Sequence, residues 1–144
     1  MRKRRREAQA GVTLIEMLVV VTIIALFAGL VGMRMWVQAD RARVTAARAQ
    51  INTLMGALNT YKMETGQFPT TEQGLQALRV APPGVSNWGG PYLEREVPND
   101  PWGHPYVYHY PSEQGDEPEI ISYGADGQPG GEGINADIVS WKSQ

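Results

Sequence analysis

The chain has 144 residues, enough for one small domain and short for two. Hydrophobic residues make up 42% and charged residues 19%, a globular rather than a disordered composition, and 16 glycines with 10 prolines require many turns. There is no cysteine, which excludes a disulfide framework, thiol chemistry and a cysteine-ligated zinc.

The formal net charge of −2 is built from two opposed regions. Residues 1–11 hold Arg2, Lys3, Arg4, Arg5 and Arg6 against Glu7 alone; without them 8 basic residues face 14 acids, a balance of −6. From Glu96 onward nine acids face the single base Lys142. An acidic globular end lacks the basic face of a nucleic-acid binder, so no nucleic-acid partner is expected. The basic cluster abuts an apolar run and reads as a membrane-orienting signal.

That run, Val12 to Met33, is 22 residues long, carries one charge, Glu16, and ends at Arg34. At about 1.5 Å per residue it can cross a hydrocarbon layer about 30 Å thick. It exceeds the apolar core of a cleaved secretory signal, about 7–15 residues, and no A-x-A site follows it. Bases before it and few after it put the N-terminus in the cytoplasm and the remaining chain across the membrane.

The pattern changes after Arg34 without a helix breaker. Val44, Ala47, Ile51, Leu54, Leu58 and Tyr61 recur at alternating spacings of 3 and 4, one apolar stripe on a helix. Arg41, Arg43, Arg48, Gln50, Asn52 and Lys62 lie mostly off it. No proline interrupts Val12 to Gly66, and Gly66 suits the position just past a helix end. One helix of about 55 residues is predicted from the rise and spacing, apolar all round in its first half and amphipathic in its second.

Beyond Pro69, Thr70 and Gln73 form the pattern of a capping box that opens a short helix with Leu75 and Leu78 inward. Pro82-Pro83-Gly84 ends it, and residues 84–105 are loop-rich. Strands are predicted at Tyr106–Tyr110, Glu119–Tyr123 and Ile138–Trp141, with a glycine-rich acidic loop between the last two. The result is an α+β domain, a long helix laid on a small antiparallel sheet.

Conventional catalytic chemistry finds no support. His104 and His109 are five apart in or near a strand, so alternation sends them to opposite faces and they share no metal. Tyr106, Tyr108 and Tyr110 read as a sheet face rather than a stacking platform for bases. Trp88, Trp102 and Trp141 read as core or loop packing rather than a substrate groove. No nucleophile–base pattern or phosphate loop is present.

Glu16 is the most informative residue. A carboxylate in an apolar helix costs about 2.5–3.5 kcal/mol at the bilayer centre and less near an end. A bland reading leaves it snorkelling to the headgroups. The functional reading needs a cationic partner, and none lies in the run itself.

A basic leader, then Gly11-Val12-Thr13-Leu14-Ile15-Glu16, then an uninterrupted apolar stretch, resembles the class III signal of type IV pilins and type II secretion pseudopilins. The resemblance implies that a membrane prepilin peptidase cuts between Gly11 and Val12 on the cytoplasmic side and methylates Val12. Glu16 becomes the fifth mature residue, paired with the α-ammonium of a neighbouring subunit in a helical filament. The family usually carries Phe after the cut, and Val12 departs from that, which bears on cleavage rate. Gly11 has a physical reason of its own, since a bare backbone lets a protease approach closely.

Further along, Tyr61-Lys62 through Gly66, Phe68 to Leu75, Asp100-Pro101-Trp102-Gly103 with Pro105-Tyr106, and Ser122 to Gly127 are similar to the major pseudopilins of type II secretion, the general secretion pathway protein G family. That implies the type IV pilin-like fold and one calcium in the loop from Gly124 to Asp137. Asp126 and Asp137 would be its side-chain ligands, the carbonyl of Tyr123 a third and Asn135 a weaker candidate. Some relatives have an extra Asp where this chain has Ala136, so the ligand set after Gly133 stays open. The loop's own residues fit that expectation: five glycines make it costly to order, and acids without a base among them repel unless a cation intervenes. An acidic solvated loop is the bland alternative.

The resemblance as a whole implies a structural subunit, not an enzyme. A leader (1–11) is removed, residues 12–33 form the membrane and filament-core half of the helix, and residues 34–144 form a periplasmic domain. Before assembly it is a single-pass inner-membrane protein. It then polymerises into a periplasmic pseudopilus with minor pseudopilins, served by an inner-membrane assembly platform and a separate ATPase, to export folded proteins. A true type IV pilin and a monomeric membrane-tethered calcium-binding module are the alternatives.

Overall fold

The computed structural model describes residues 11–142, with only the backbone of Arg34 and Met35 described. The leader bases Arg2, Lys3, Arg4, Arg5 and Arg6 lie outside the described residues. Helix α1 runs Leu14–Thr65, 52 residues, close to the predicted extent at both ends. The chain divides into two compact units after Gln38.

In the first unit every residue from Leu14 on is helical, and no apolar side chain from Val12 to Met33 is buried. Leu14 is 92% exposed and Phe27 61%. This is the one helix, among the described residues, long and apolar enough to cross a membrane.

The second unit begins with the amphipathic half of α1. Ala47, Ile51, Leu54, Leu58 and Tyr61 are all buried and Val44 packs against them, so the 3-and-4 spacing is realised as one inward face. Their partners are Phe68, Leu75, Ala77, Leu78, Tyr106, Tyr108, Ile120 and Ile138, in a single cluster. Each fully buried aliphatic side chain contributes about 1.5–3 kcal/mol by leaving water. Gly66 ends the helix at φ +91°, donating its N–H to Lys62 O at 2.8 Å. That left-handed conformation closes helices and favours glycine.

The capping box forms as predicted. Gln73 N–H donates to Thr70 Oγ1 at 3.3 Å and Thr70 N–H to Gln73 Oε1 at 3.0 Å. It opens a turn and a four-residue 3₁₀ helix, Leu75–Leu78, rather than an α-helix. Leu75 and Leu78 point inward as expected.

Three strands make one antiparallel sheet in chain order: β1 (Val107–His109), β2 (Glu119–Ser122) and β3 (Ile138–Val139). Tyr108 pairs with Ile120, and Ser122 with Ile138. Each strand is shorter than predicted. Pro105 and Pro111 flank the first, Gly124 follows the second, and the third ends at Ser140, whose hydroxyl rather than its carbonyl accepts the N–H of Ile120 opposite it. His104 therefore lies in a turn, not a strand, and alternation does not govern it. Tyr106 and Tyr108 are buried while His109 is exposed, which makes the tyrosines a core face. Tyr108 Oη donates to Pro69 O at 2.7 Å, and Tyr106 Oη donates to Gln50 Oε1. Burial pushes both phenols well above their ordinary value of 10.0.

Trp88 packs on the core and its indole N–H donates to Ala77 O at 2.9 Å. Trp102 packs there too. Trp141 is exposed and held by Glu119, with Nε1 2.7 Å from Oε1.

Candidate functional site

Two places carry the features that the sequence singled out. The first is the start of α1. Thr13 Oγ1 accepts the N–H of Glu16 at 3.3 Å and Thr13 O accepts that of Met17 at 3.2 Å, so Thr13 caps the helix. Glu16 falls in the first turn, where free N–H groups favour a carboxylate by about 0.3–1 kcal/mol. The T-x-x-E pattern of Thr13 to Glu16 is the N-terminal signature that sequence reading passed over. It places the acid at the helix entrance rather than within the apolar body. Gly11 and Val12 precede the helix and are exposed; a Cβ on Gly11 would meet nothing within 4 Å.

The second place is the loop after β2. Its ends are tied by Ala125 N–H donating to Ile134 O at 2.9 Å. Gly124 sits at φ +66°, and a Cβ there would lie 2.7 Å from Ile134 O; Gly131 sits at φ +88°, with a Cβ 2.6 Å from Asn135 O. Glycine at these two positions lets strand end and loop close on each other's carbonyls. Asp137 is half-buried: Oδ2 accepts the Gly130 N–H at 2.9 Å, while Oδ1 is buried without a hydrogen-bond partner. Asn135 and Tyr123 are half-buried. Asp126 is exposed, its Oδ1 accepting the Gln128 N–H at 3.1 Å. Glu132 is exposed.

Among the described residues no three of His, Cys, Asp and Glu gather at a point that could hold a metal. The expected cluster of repelling carboxylates is thus not assembled, because the glycine turns bring carbonyls rather than acids together. An all-oxygen donor set with one orphaned buried carboxylate oxygen still fits a hard cation ligated largely by carbonyls.

Beside this loop lies a network that sequence reading missed. The Asp100 side chain is fully buried. Its Oδ1 accepts the N–H groups of Trp102 at 3.1 Å and His104 at 2.9 Å, and its Oδ2 accepts the Ser122 hydroxyl at 2.6 Å. Ser122 Oγ in turn accepts the Gly124 N–H at 3.4 Å, and His104 Nδ1 lies 3.2 Å from Gly124 O. Asp100 therefore joins the turn Asp100–His104 to the end of β2 and the first residue of the loop. Ser122, His104 and Asp100 are the residue types of a hydrolytic triad in the wrong arrangement. The serine is fully buried and donates to the carboxylate, not to the imidazole. The sequence signal was the Asp100-Pro101-Trp102-Gly103 motif, which marked the place without its role.

Residues 34–141 match the family described as type II secretion system protein G. The chain belongs to that family. Residues 6–32 match the prokaryotic N-terminal methylation motif. The protein G member is 40% identical over 140 residues to the type II secretion system core protein G of Pseudomonas aeruginosa, covering 95% of this chain and 98% of that one. It is 40% identical over 147 residues to the protein of the same name from Vibrio cholerae, covering 100% and 98%. Among solved structures, it is similar to the major pseudopilin from the type 2 secretion system of enterohaemorrhagic Escherichia coli, at 35% identity and a TM-score of 0.57, over 72% of this chain and 90% of that one. The long helix and small antiparallel sheet are the fold expected of this family, which is structural rather than enzymatic.

Proposed function

We propose that this protein G family member is made as a membrane-inserted precursor and matures into the structural subunit of the type II secretion pseudopilus. Residues 1–11 are removed by a prepilin peptidase between Gly11 and Val12, and Val12 is methylated. Residues 12–33 hold the precursor in the inner membrane, with the N-terminus cytoplasmic and residues 34–144 in the periplasm. The same half-helices then form the core of a helical filament that drives folded proteins across the outer membrane. Minor pseudopilins, an assembly platform and a separate ATPase take part.

One observation carries this reading: on the apolar half of α1 every apolar side chain from Val12 to Met33 is exposed. Such a surface needs lipid first and sister helices later. The methylation motif supports processing. The open space at Gly11 supports it too, because nothing in the fold requires glycine there, whereas a peptidase closing on the backbone does. Glu16 pairs with a neighbour's α-ammonium, which offsets the desolvation of both charges and fixes register.

Calcium in the loop from Gly124 to Asp137 completes the reading. Asp137, Asp126, the Tyr123 carbonyl and Asn135 would hold it, supported by the orphaned Asp137 oxygen. The ion would supply the positive charge that locks loop to strand end.

Glu16→Gln tests the assembly role. Membrane insertion is expected to persist and filament formation to be lost; wild-type filaments from this variant would refute the charge pairing.

A further inference from the structure

We propose that Trp36 sets the depth of the chain in a phospholipid bilayer, its indole in the headgroup layer on the globular-domain side and Glu16 at the opposite edge of the hydrocarbon. The proposal rests on the membrane-spanning reading above. Trp36 lies twenty positions after Glu16 along unbroken helix. At the helical rise that is about 30 Å, the thickness of the hydrocarbon layer.

The side chains described between them are those of a lipid-facing surface, from Met17 at 52% to Met33 at 70% exposure. Trp36 is 77% exposed and Val37 beside it 55%, and among its described residues the first unit contains no second element that could cover either. A large apolar ring with one N–H donor suits the boundary between acyl chains and headgroups. Arg34 lies two residues earlier, about 3 Å of axial rise, and so falls in the same layer. Beyond Val37 the helix turns polar, with Gln38 and then Asp40, which pairs with Arg43 at 3.8 Å. The two ends of the span are thereby marked by different chemistry, a capped carboxylate and an interfacial aromatic.

The full chain, reconstituted at low density in vesicles of mixed phosphatidylethanolamine and phosphatidylglycerol, tests this with brominated acyl chains as tryptophan quenchers. The other tryptophans, Trp88, Trp102 and Trp141, lie in the second unit. Shallow bromines are expected to quench about a quarter of the emission, one of four tryptophans, and deep bromines less than half as much. Trp36→Phe should abolish the difference while leaving the circular dichroism unchanged. Equal quenching in wild type and Trp36→Phe, or stronger quenching by deep bromines, overturns the depth assignment. A chain that floats with the vesicles but keeps Trp36 unquenched means that a second copy covers the ring, and the assignment alone falls. A chain that fails to float sinks the membrane-spanning reading with it.

Discussion

Asp100→Ala probes the joint between the Asp100–His104 turn and the loop after β2. The substitution strands three donors: the backbone N–H groups of Trp102 and His104 and the Ser122 hydroxyl. An unsatisfied buried donor costs about 1–3 kcal/mol. Trp102 and His104 are both half-buried, so water recovers part of their loss, whereas Ser122 is fully buried. The net cost is about 3–4 kcal/mol, a large share of the roughly 5–15 kcal/mol typical of a domain. In residues 34–144 the melting temperature should fall by about 12–16 °C, at about 4 °C per kcal/mol.

Asp100→Asn separates hydrogen bonding from bulk. Its carbonyl oxygen still accepts both backbone donors, and only the Ser122 contact changes partner, so the loss is about 1 kcal/mol. Calorimetry on the three proteins reads the order, and hydrogen exchange at Ala125 reads the loop, since that amide is bonded to Ile134 O. An alanine variant within about 0.5 kcal/mol of wild type would refute the network's role. So would an asparagine variant as damaged as the alanine one.

Leu58→Ala, at a side chain with 0% exposure facing the centre of the core, should cost about 2–5 kcal/mol in denaturant unfolding, with an unchanged slope. The buried phenols of Tyr106 and Tyr108 ionise less readily folded than unfolded. Their stabilisation is thus complete below the ordinary tyrosine value of 10.0 and declines as pH rises above it. Urea midpoints across alkaline pH check this, and Tyr108→Phe should flatten the decline. Calcium at a hundredfold excess over Kd should stabilise residues 34–144 by about 2.7 kcal/mol relative to chelator, an effect Asp137→Asn should weaken; identical melting curves would end the calcium reading.

How far the sequence could be read depended on whether the relevant contacts were local. The stripe from Val44 to Tyr61 is a statement about one helix, so spacing alone identified the buried face. The Thr70–Gln73 capping box spans three residues and was equally legible. Strand ends were not, because they depend on where pairing partners stop: β3 ends where the Ser140 hydroxyl takes the Ile120 N–H in place of the Ser140 carbonyl. The Asp100 hub joins residues 22 apart to Ser122, and no pattern of either segment announces that meeting. In the loop, composition registered acids, but backbone turns at Gly124 and Gly131 decided which oxygens face each other. Thr13 differs from these. Its signal was local and present in T-x-x-E, but Glu16 drew attention as a charge in an apolar run rather than as the third residue of a capped helix.

The position of Glu16 in that first turn bears on why a filament would need it. Lipid tails are about as apolar as leucine, so exchanging lipid for sister helices along Leu14 to Met33 yields little net hydrophobic gain. The apolar half can enter either environment and by itself chooses neither. A carboxylate at the cytoplasmic edge of the hydrocarbon remains within reach of headgroups and water, and its desolvation there is small. Drawn into a filament core it loses that hydration, and only an opposite charge at the same axial level restores the balance. An α-ammonium at Val12 lies four residues earlier, about 6 Å along the axis, so a neighbour displaced by one such step brings amine and carboxylate level. If the proposed assembly holds, the apolar residues account for insertion and Glu16 for the choice of axial offset between subunits. Glu16→Gln should therefore affect assembly without affecting insertion.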